Sequence, residues 1–339
     1  MTANLAGGPT APPPKAAAIP AAAQPLETDE PNFTIDGHVD ILHEMFESNS
    51  NVPFEELSGL PVTLEKITSA NMFVTVAALY CPDVHNGAAS ADFLSKLMIY
   101  AERYLTGLFH IKSAQDLDDC IRQKKPGVIW LIENADALLD FDRARLRQAG
   151  IKVAGLTHMG RNRIGDGNNV PFPEGLTAEG KTLVKNLARE GFAFDVAHLA
   201  EPGFRDLTRL YEGPLISSHT GVRALADIPR NLTRSQVAAI LERKGVIGIA
   251  ADPAMLTPSR EASIQDIFRH IDWIAQSFDA GGIGIGTDFC GFFTVNAGFE
   301  DITRLADLAR IMREHGYPKP SIKKIMGENW RVFYESLLQ

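Results

Sequence analysis

Residues 194–231 read FDVAHLAEPGFRDLTRLYEGPLISSHTGVRALADIPRN, and two apolar runs in this region are each followed by a histidine. The first run, residues 192–197, precedes His198, and the second, residues 214–218, precedes His219. A segment of helical character separates them, which is typical of one strand–helix–strand step in a parallel sheet. Neighbouring parallel strands lie about 5 Å apart. The two imidazoles are therefore predicted to share one site.

A pair of histidines at equivalent strand ends favours a metal site. A lone histidine at such a position is more often a polar cap, but neutral imidazole is also the commonest protein ligand for zinc. Because His198 and His219 follow successive strands, we interpret them as candidate ligands of one centre.

Apolar strands and helical segments alternate along the rest of the chain. The predicted strands are residues 33–39, 71–79, 127–132, 151–157, 192–197, 214–218, 245–251 and 282–287. The predicted helices are residues 91–110, 114–124, 135–148, 178–190, 202–211, 234–243, 264–278, 302–315 and 321–326. Eight strands with helices between them predict an α/β fold, a (β/α)₈ barrel. The alternative is an open doubly wound sheet, which needs a phosphate-binding turn where this chain has Asp36-Gly37-His38-Val39-Asp40.

Composition limits the partners of the protein. The chain has 339 residues, a net charge of −9 and a pI near 5.5, which argue against nucleic-acid and acidic-membrane partners. No uninterrupted apolar run reaches the roughly 18 residues that a membrane span needs. The three cysteines are widely spaced and do not form a disulfide framework, so we expect a reducing compartment and a cytoplasmic location.

The N-terminal segment differs from the remainder in composition. Residues 1–31 are rich in alanine and proline and are predicted to form a disordered tail before a single catalytic domain, residues 32–339. An atypical export signal is the alternative for this tail. A secretory signal has an unbroken apolar region of about 7–15 residues, and Pro20 interrupts the apolar residues here.

Polar residues with metal-binding or acid–base chemistry lie at six of the eight predicted strand ends. In a barrel the chemistry is found at these carboxyl ends. The residues are His38, Asp40, Glu133, His158, His198, His219 and Asp288. His38 and Asp40 are two positions apart on a strand and so point to the same face.

Glu133 follows a fully apolar strand, where a carboxylate indicates either a buried ion pair or a metal. A carboxylate with two free oxygens can bridge two ions, and ions about 3.5–4 Å apart can hold a bridging hydroxide at neutral pH. The predicted centre therefore holds two Zn²⁺ ions per chain. One is bound by His38, Asp40 and Glu133, and the other by Glu133, His198 and His219.

Short motifs in a fixed order carry a family resemblance. They are Asp36-Gly37-His38-x-Asp40, Glu133, Leu156-Thr157-His158, Asp195-Val196-Ala197-His198, Ser217-Ser218-His219-Thr220, Arg230-Asn231, Gly284-Ile285-Gly286-Thr287-Asp288-Phe289 and Gly327-Glu328-Asn329-Trp330. Together they resemble the membrane (renal) dipeptidases, the M19 zinc dipeptidases, over nearly the whole chain from Asp36.

The resemblance implies a TIM-like barrel of the metallo-dependent hydrolase type with two zinc ions. It implies hydrolysis, by a metal-bridging hydroxide, of dipeptides that have a free C-terminal carboxylate. L,L and L,D dipeptides are both open as substrates, because the sequence does not determine the configuration of the second residue. His158 would contact the substrate carbonyl, Arg230 the substrate carboxylate, and Asp288 would be the acid–base residue. A structural ion pair is the alternative for Arg230. The resemblance also implies a homodimer.

Three residues depart from the family pattern. Val39 stands where the family has asparagine, Ile228 stands where it has histidine, and Cys290 stands where it has aspartate. None is a predicted ligand, so they bear on substrate preference rather than on metal binding. A binuclear zinc hydrolase for a lactam or a phosphoester is the alternative enzyme, and a non-catalytic relic of the fold is the alternative outside enzymes.

Other histidines are interpreted as structural. His270 and His315 lie on predicted helices and are expected at the surface. His110 ends the predicted helix 91–110, where a cation stabilises the helix C-terminus. The glycines of residues 281–286 lie within a strand and do not open a helix, so they do not predict a dinucleotide site.

Overall fold

The computed structural model describes residues 33–48, 50–294 and 296–339. Across these ranges the strands are β1 (Thr34–Val39), β2 (Met72–Tyr80), β3 (Phe109–His110), β4 (Gly127–Glu133), β5 (Val153–Gly155), β6 (Ala193–Asp195), β7 (Leu215–Thr220), β8 (Ile247–Ile249) and β9 (Ile283–Ile285). All of their pairings are parallel, and β1 pairs with both β2 and β9 while β2 also pairs with β4. Eight strands therefore close into a barrel, and β3 adds to the start of β4. The predicted (β/α)₈ barrel is confirmed.

Helices surround the barrel. In the described ranges the α-helices are α1 (Ile41–Glu47), α2 (Leu64–Ser69), α3 (Ser90–Tyr104), α4 (Ala114–Gln123), α5 (Arg143–Gln148), α6 (Ala178–Arg189), α7 (Glu201–Leu210), α8 (Arg234–Glu242), α9 (Pro253–Leu256), α10 (Ile264–Ser277), α11 (Leu305–Glu314), α12 (Lys319–Lys323) and α13 (Asn329–Leu337). Short 3₁₀ segments are Phe54–Glu56, Asp83–His85, Ala135–Leu139 and Ile302–Arg304, and a π-helical turn is Lys324–Glu328.

Burial explains why the strands are apolar along their whole length. Every residue of β4, which reads GVIWLIE, is buried, because a parallel strand in a barrel is covered on both faces. The helices are apolar on one face only, as in α7, where Phe204 and Leu207 are buried. Helix starts follow the local sequence. Thr233 and Gln236 form a capping box at the start of α8.

The predicted helix 91–110 is wrong in its last third. Helix α3 ends at Tyr104, and the backbone then turns at Gly107, whose φ is +80°. Phe109 and His110 form β3, held by the Phe109 N–H bond to the Pro126 carbonyl. His110 is therefore not a cation at a helix end, and its ring meets the edge of Trp130.

Two further expectations are corrected. The predicted helix 135–148 is divided into a 3₁₀ segment and α5, because the Asp142 side chain accepts a hydrogen bond from the Ala144 N–H and starts a new helix there. His270 is only 1% exposed, although a surface position was expected. Its imidazole lies between two backbone groups, the Val222 N–H and the Leu256 carbonyl.

Trp330 on α13 packs where the first and last barrel strands meet. A Cβ atom at Gly37 of β1 or at Gly284 of β9 would lie 2.2 or 2.3 Å from the indole ring, so only glycine leaves room for it. The indole N–H donates to the Ile285 carbonyl at 2.8 Å. The C-terminal motif thus stabilises the closure of the barrel.

The predicted tail, residues 1–31, lies outside the described residues, so the division into a tail and one catalytic domain stays a prediction. Among the described helices, none combines the length and the apolar character that crossing a bilayer requires. The three cysteines all lie in the described part of the chain, where they are buried free thiols.

Candidate metal centre

The predicted site residues converge at the carboxyl ends of the strands. A cleft of about 750 Å³ is lined by Asp40, Glu133, His158, His198, Arg230 and Asp288, among others. The two remaining predicted ligands, His38 and His219, are buried and pack ring against ring, with centroids 3.8 Å apart. The structure therefore brings together every residue that the sequence assigned to the site.

Carboxylates from three strand ends approach His38. Its Nε2 atom lies 3.6 Å from Asp40 Oδ2, 3.6 Å from Glu133 Oε2 and 4.0 Å from Asp288 Oδ1. His38, Asp40 and Asp288 form one group of potential ligands close enough to share an ion. Asp288, predicted as the acid–base residue and not as a ligand, therefore lies beside two predicted ligands of one ion.

The second oxygen of Glu133 faces the other two histidines. Glu133 Oε1 lies 3.1 Å from His198 Nε2 and 3.9 Å from His219 Nε2, and these two nitrogens are 3.1 Å apart. One carboxylate therefore offers one oxygen to each histidine group. This is the arrangement that a bridging ligand requires.

The donor atoms fit a divalent metal. His38 Nε2 and Asp40 Oδ1 are buried and have no hydrogen-bond partner among the described residues. Buried polar atoms normally have a partner, and a bound cation supplies one. Imidazole nitrogens together with carboxylate oxygens suit Zn²⁺, and ligand type alone also permits Mn²⁺ or Co²⁺.

Backbone strain is concentrated at this site. His198 and Asp288 both have φ of +64°, and Asn134, directly after Glu133, has φ of +70°. Such conformations cost about 1–3 kcal/mol each in residues other than glycine and are typical of functional sites. Hydrogen bonds hold them in place. The Asp288 N–H donates to the His38 carbonyl at 3.0 Å.

Burial and neighbouring charges shift the pKa values of the three histidines. Burial holds the pKa of His198 and of His219 well below the usual value, and Arg230 and, for His219, His38 act in the same direction, which favours the neutral form of both rings. The neutral form is the one that binds a metal. Burial opposes charge on His38 as well, but the Glu133 and Asp40 carboxylates outweigh it and raise the pKa of this ring. The same carboxylates favour a divalent cation.

Asp288 has the properties of a proton-transferring group. Burial first, and then the neighbouring Asp40 carboxylate, raises the pKa of Asp288 well above its usual value. A carboxyl group whose pKa is raised toward neutrality exchanges a proton more readily at physiological pH. Its Oδ1 atom lies 3.9 Å from His219 Nε2 and 4.0 Å from His38 Nε2.

Two residues beside His158 were not singled out from the sequence. The His158 Nδ1 atom lies 3.3 Å from the Tyr80 hydroxyl and 3.4 Å from Asp83 Oδ2. Asp83 also accepts a hydrogen bond from the Gly160 N–H at 2.8 Å. Tyr80 ends β2, one residue beyond the predicted strand, and a polar residue at that strand end was the signal that could have revealed it.

Arg230 reaches over the two neutral histidines. Its Nη2 group donates to the His219 carbonyl at 2.9 Å and lies 3.3 Å from His198 Nε2. No carboxylate of the described residues forms an ion pair with Arg230 within 4.0 Å. A guanidinium that lines the cleft in this way can bind an anionic group of a substrate.

A closed barrel with histidines and carboxylates at its strand ends defines the class of protein as a metal-dependent hydrolase. The chain belongs to the membrane dipeptidase family, peptidase family M19, whose model matches residues 22–336. The protein is thus an enzyme of the metallo-dipeptidase class, as the motifs predicted.

Solved structures agree with this assignment. The chain is similar to dipeptidase AC, a metallopeptidase of family M19, with 25% identity and a TM-score of 0.82 over 91% of this chain and 99% of the other. It is also similar to a Rhodobacter sphaeroides metallopeptidase bound to a phosphinate mimic of L-Ala-D-Ala, with 25% identity and a TM-score of 0.79 over 90% and 99% of the two chains.

Curated proteins are also similar to this chain in sequence. A Claviceps purpurea protein named dipeptidase tcpJ is 23% identical over 324 residues, which are 87% of this chain and 74% of the relative. An uncharacterized Klebsiella pneumoniae protein encoded in the pqqA 5' region is 30% identical over 233 residues, 64% of this chain and 84% of the relative.

Proposed function

We propose that the protein is a zinc-dependent dipeptidase that hydrolyses dipeptides with a free C-terminal carboxylate, of L,L and also L,D configuration. The observation that carries the proposal is Glu133, whose Oε2 atom lies 3.6 Å from His38 Nε2 and whose Oε1 atom lies 3.1 Å from His198 Nε2. A site for a single ion would not require the two oxygens of Glu133 to face different histidines.

The proposed ligands are those of the sequence prediction. His38, Asp40 and Glu133 would hold one Zn²⁺, and Glu133, His198 and His219 the other. Two such ions supply a nucleophilic water at neutral pH and polarise the peptide carbonyl.

The remaining residues of the site would bind the substrate and move protons. His158, held by Tyr80 and Asp83, would face the oxygen of the scissile carbonyl. Asp288 would accept the proton of the attacking water and deliver it to the leaving amine. Arg230 would form a bidentate pair with the C-terminal carboxylate and so fix the position of the peptide bond.

The configuration of the second residue is supported by a relative. The Rhodobacter sphaeroides metallopeptidase was solved with a mimic of L-Ala-D-Ala, so a site of this architecture can hold an L,D dipeptide. We therefore include L,D dipeptides among the proposed substrates of this chain.

A substrate screen tests the proposal. Zinc-loaded protein should hydrolyse members of a panel of L,L and L,D dipeptides and should be far less active on the same dipeptides with an amidated C-terminus. A lactam and a phosphoester serve as comparison substrates. Turnover of either one without any dipeptide hydrolysis would contradict the dipeptidase proposal, and inactivity on every substrate would favour a non-catalytic relic.

Assembly and location are separate proposals. The family resemblance leads us to propose a homodimer, and a single species of 37.0 kDa in sedimentation would contradict it. The three free thiols, Cys81, Cys120 and Cys290, lead us to propose a cytoplasmic location. Detection of the protein in a secreted or periplasmic fraction of the source cell would contradict that location.

A further inference from the structure

We propose that Ser218 is a positioning residue that sets the proton positions of two histidines and so supports both metal sites at once. The histidines are His38 and His219, which belong to different ions in the proposed centre. The effect on metal affinity rests on the proposed binuclear function, whereas the proton positions can be tested without any metal.

The Ser218 hydroxyl lies between the two imidazoles. Its Oγ atom is 2.9 Å from His38 Nδ1 and 2.9 Å from His219 Nδ1. Ser218 is fully buried, as are both rings, so water does not compete for these hydrogen bonds. A single hydroxyl is thus the hydrogen-bond partner of two histidines from two different strands, β1 and β7.

The Asp195 side chain is a further hydrogen-bonding group beside Ser218. Asp195 accepts a hydrogen bond from the Ser218 N–H at 2.9 Å and interacts with the Ser218 side chain as well. Asp195 also accepts from the Ala197 N–H at 3.0 Å, which fixes its orientation. A hydroxyl has one hydrogen and two lone pairs. When the hydrogen points to Asp195, both lone pairs are left to accept N–H bonds from the histidines.

Both Nδ1 atoms must then carry a proton. A neutral imidazole has only one N–H group, so a proton on Nδ1 leaves the Nε2 lone pair free. The Nε2 atoms of His38 and His219 are the atoms that face Glu133. If the hydroxyl instead donated its hydrogen to one ring, the Nε2 atom of that ring would carry the proton and could not bind a metal.

Nuclear magnetic resonance of the native, metal-free protein tests the proton positions. In protein labelled with ¹⁵N at histidine, two-bond ¹⁵N–¹H correlations report whether each ring nitrogen carries a proton. Spectra of His38→Gln and His219→Gln variants assign the signals. The neighbouring carboxylates raise the pKa of His38, and the charged ring has a proton on Nδ1 in any case, so the spectra are recorded over a pH range that extends to where His38 is neutral. We expect a protonated Nδ1 atom in both neutral rings. An Nδ1 atom without a proton in either ring would overturn the proposal.

Zinc affinity tests the consequence. Chelator competition on the Ser218→Ala variant should show both zinc dissociation constants raised by about 10–100-fold, as is usual when a partner of a metal ligand is removed. Ser217→Ala is the matched control, because Ser217 is equally buried and its Oγ has no hydrogen-bond partner among the described residues. This control should bind zinc as the native protein does.

Three results would contradict the proposal. They are unchanged zinc affinity in Ser218→Ala, a loss at one site only, and an equal loss in Ser217→Ala. Native protein that binds no zinc would refute the proposed binuclear function instead. The histidine spectra of the metal-free protein would still decide the role of Ser218 in that case.

Discussion

At the scale of single residues, Glu133 connects the two halves of the site. It is the last residue of β4, whose other residues are apolar or glycine, and it is buried with them. The pKa of Glu133 is held well below its usual value, because His38 and His198 outweigh the effect of burial. A charged carboxylate in such surroundings is stable only when charged or hydrogen-bonding groups face its oxygens.

Arg230 is the residue whose role in substrate binding is most readily tested. Lysine keeps the charge but cannot reproduce the fork of the guanidinium. We expect Arg230→Lys to lower kcat/KM for a dipeptide by about 2–4 kcal/mol, roughly 30- to 700-fold, as for the loss of a positioned ionic contact. Steady-state kinetics on native protein and variant measure this loss.

The control for Arg230 lies in the substrate. Amidation of the C-terminal carboxylate should reduce turnover by the native enzyme about as much as the substitution does. On the variant, amidation should have little further effect, because both changes remove the same contact. If the loss from amidation is as large on the variant as on the native enzyme, Arg230 does not bind the substrate carboxylate and acts, for example, as a structural cation.

Site residues differed in how far the sequence could predict them. His38, Glu133 and Asp288 could be found because they are polar residues at the ends of apolar strands. Asp83 could not, because its role arises from contact with a histidine 75 positions away on another loop. Ser218 lay within a quoted motif, but its two imidazole partners follow only from the positions of β1 and β7 in the barrel.

At the scale of secondary-structure elements, α10 holds the loop that presents Arg230. His270 on this helix accepts a hydrogen bond from the Val222 N–H at 2.8 Å, and its other ring nitrogen lies 3.0 Å from the Leu256 carbonyl. Asn231 connects the same two segments, since its side chain donates to the Ala226 and Met255 carbonyls. Helix α10 therefore fixes the wall of the cleft beside Arg230.

Replacement of His270 should alter both stability and its dependence on pH. Burial lowers the pKa of His270, so below the unfolded value of about 6.5 the unfolded chain binds a proton that the folded chain resists. The contribution of neutral His270 is thus present above pH 6.5 and is lost as the pH falls. His270→Gln breaks a buried hydrogen bond, and we expect it to cost about 1–3 kcal/mol at neutral pH.

Denaturant unfolding of the metal-free protein between pH 7.5 and 5 measures both effects of the His270 substitution. The native protein should lose more stability than the variant as the pH falls, so the two curves should converge. Curves that stay parallel would show that His270 takes up a proton equally well in the folded and unfolded states.

Element boundaries were predicted less well than element types. The apolar helical pattern of α3 continues past Tyr104, where the helix ends. The sequence does not show that Phe109 pairs with β4 as part of a strand. The long buried strands β2 and β4 were predicted to within one residue at most ends because their apolar runs are unbroken. The exact ends of the strands depend on pairing between segments that are distant in sequence. The local sequence carries no information about that pairing.

At the scale of the whole molecule, closure of the barrel assembles the site. Pairing of β1 with β9 brings Asp36 beside Ile285, and so sets His38 within 4.0 Å of Asp288, from the opposite end of the chain. Asp36 reinforces this junction, because its carboxylate accepts hydrogen bonds from the Thr287 N–H and hydroxyl. Burial raises the pKa of Asp36 to about 6. The alternation of strands and helices predicted the closure, but the distances between ligands depend on strand register.

In the proposed centre Glu133 would be a ligand of both zinc ions, and titration with zinc tests whether hydrolysis needs both of them. Metal-stripped protein is titrated with Zn²⁺ while hydrolysis of a dipeptide substrate is measured. We expect negligible activity without metal and full activity only at two equivalents per chain, and no tight binding of either equivalent in Glu133→Gln. Full activity at one equivalent, or unchanged activity in the stripped protein, would contradict the binuclear account.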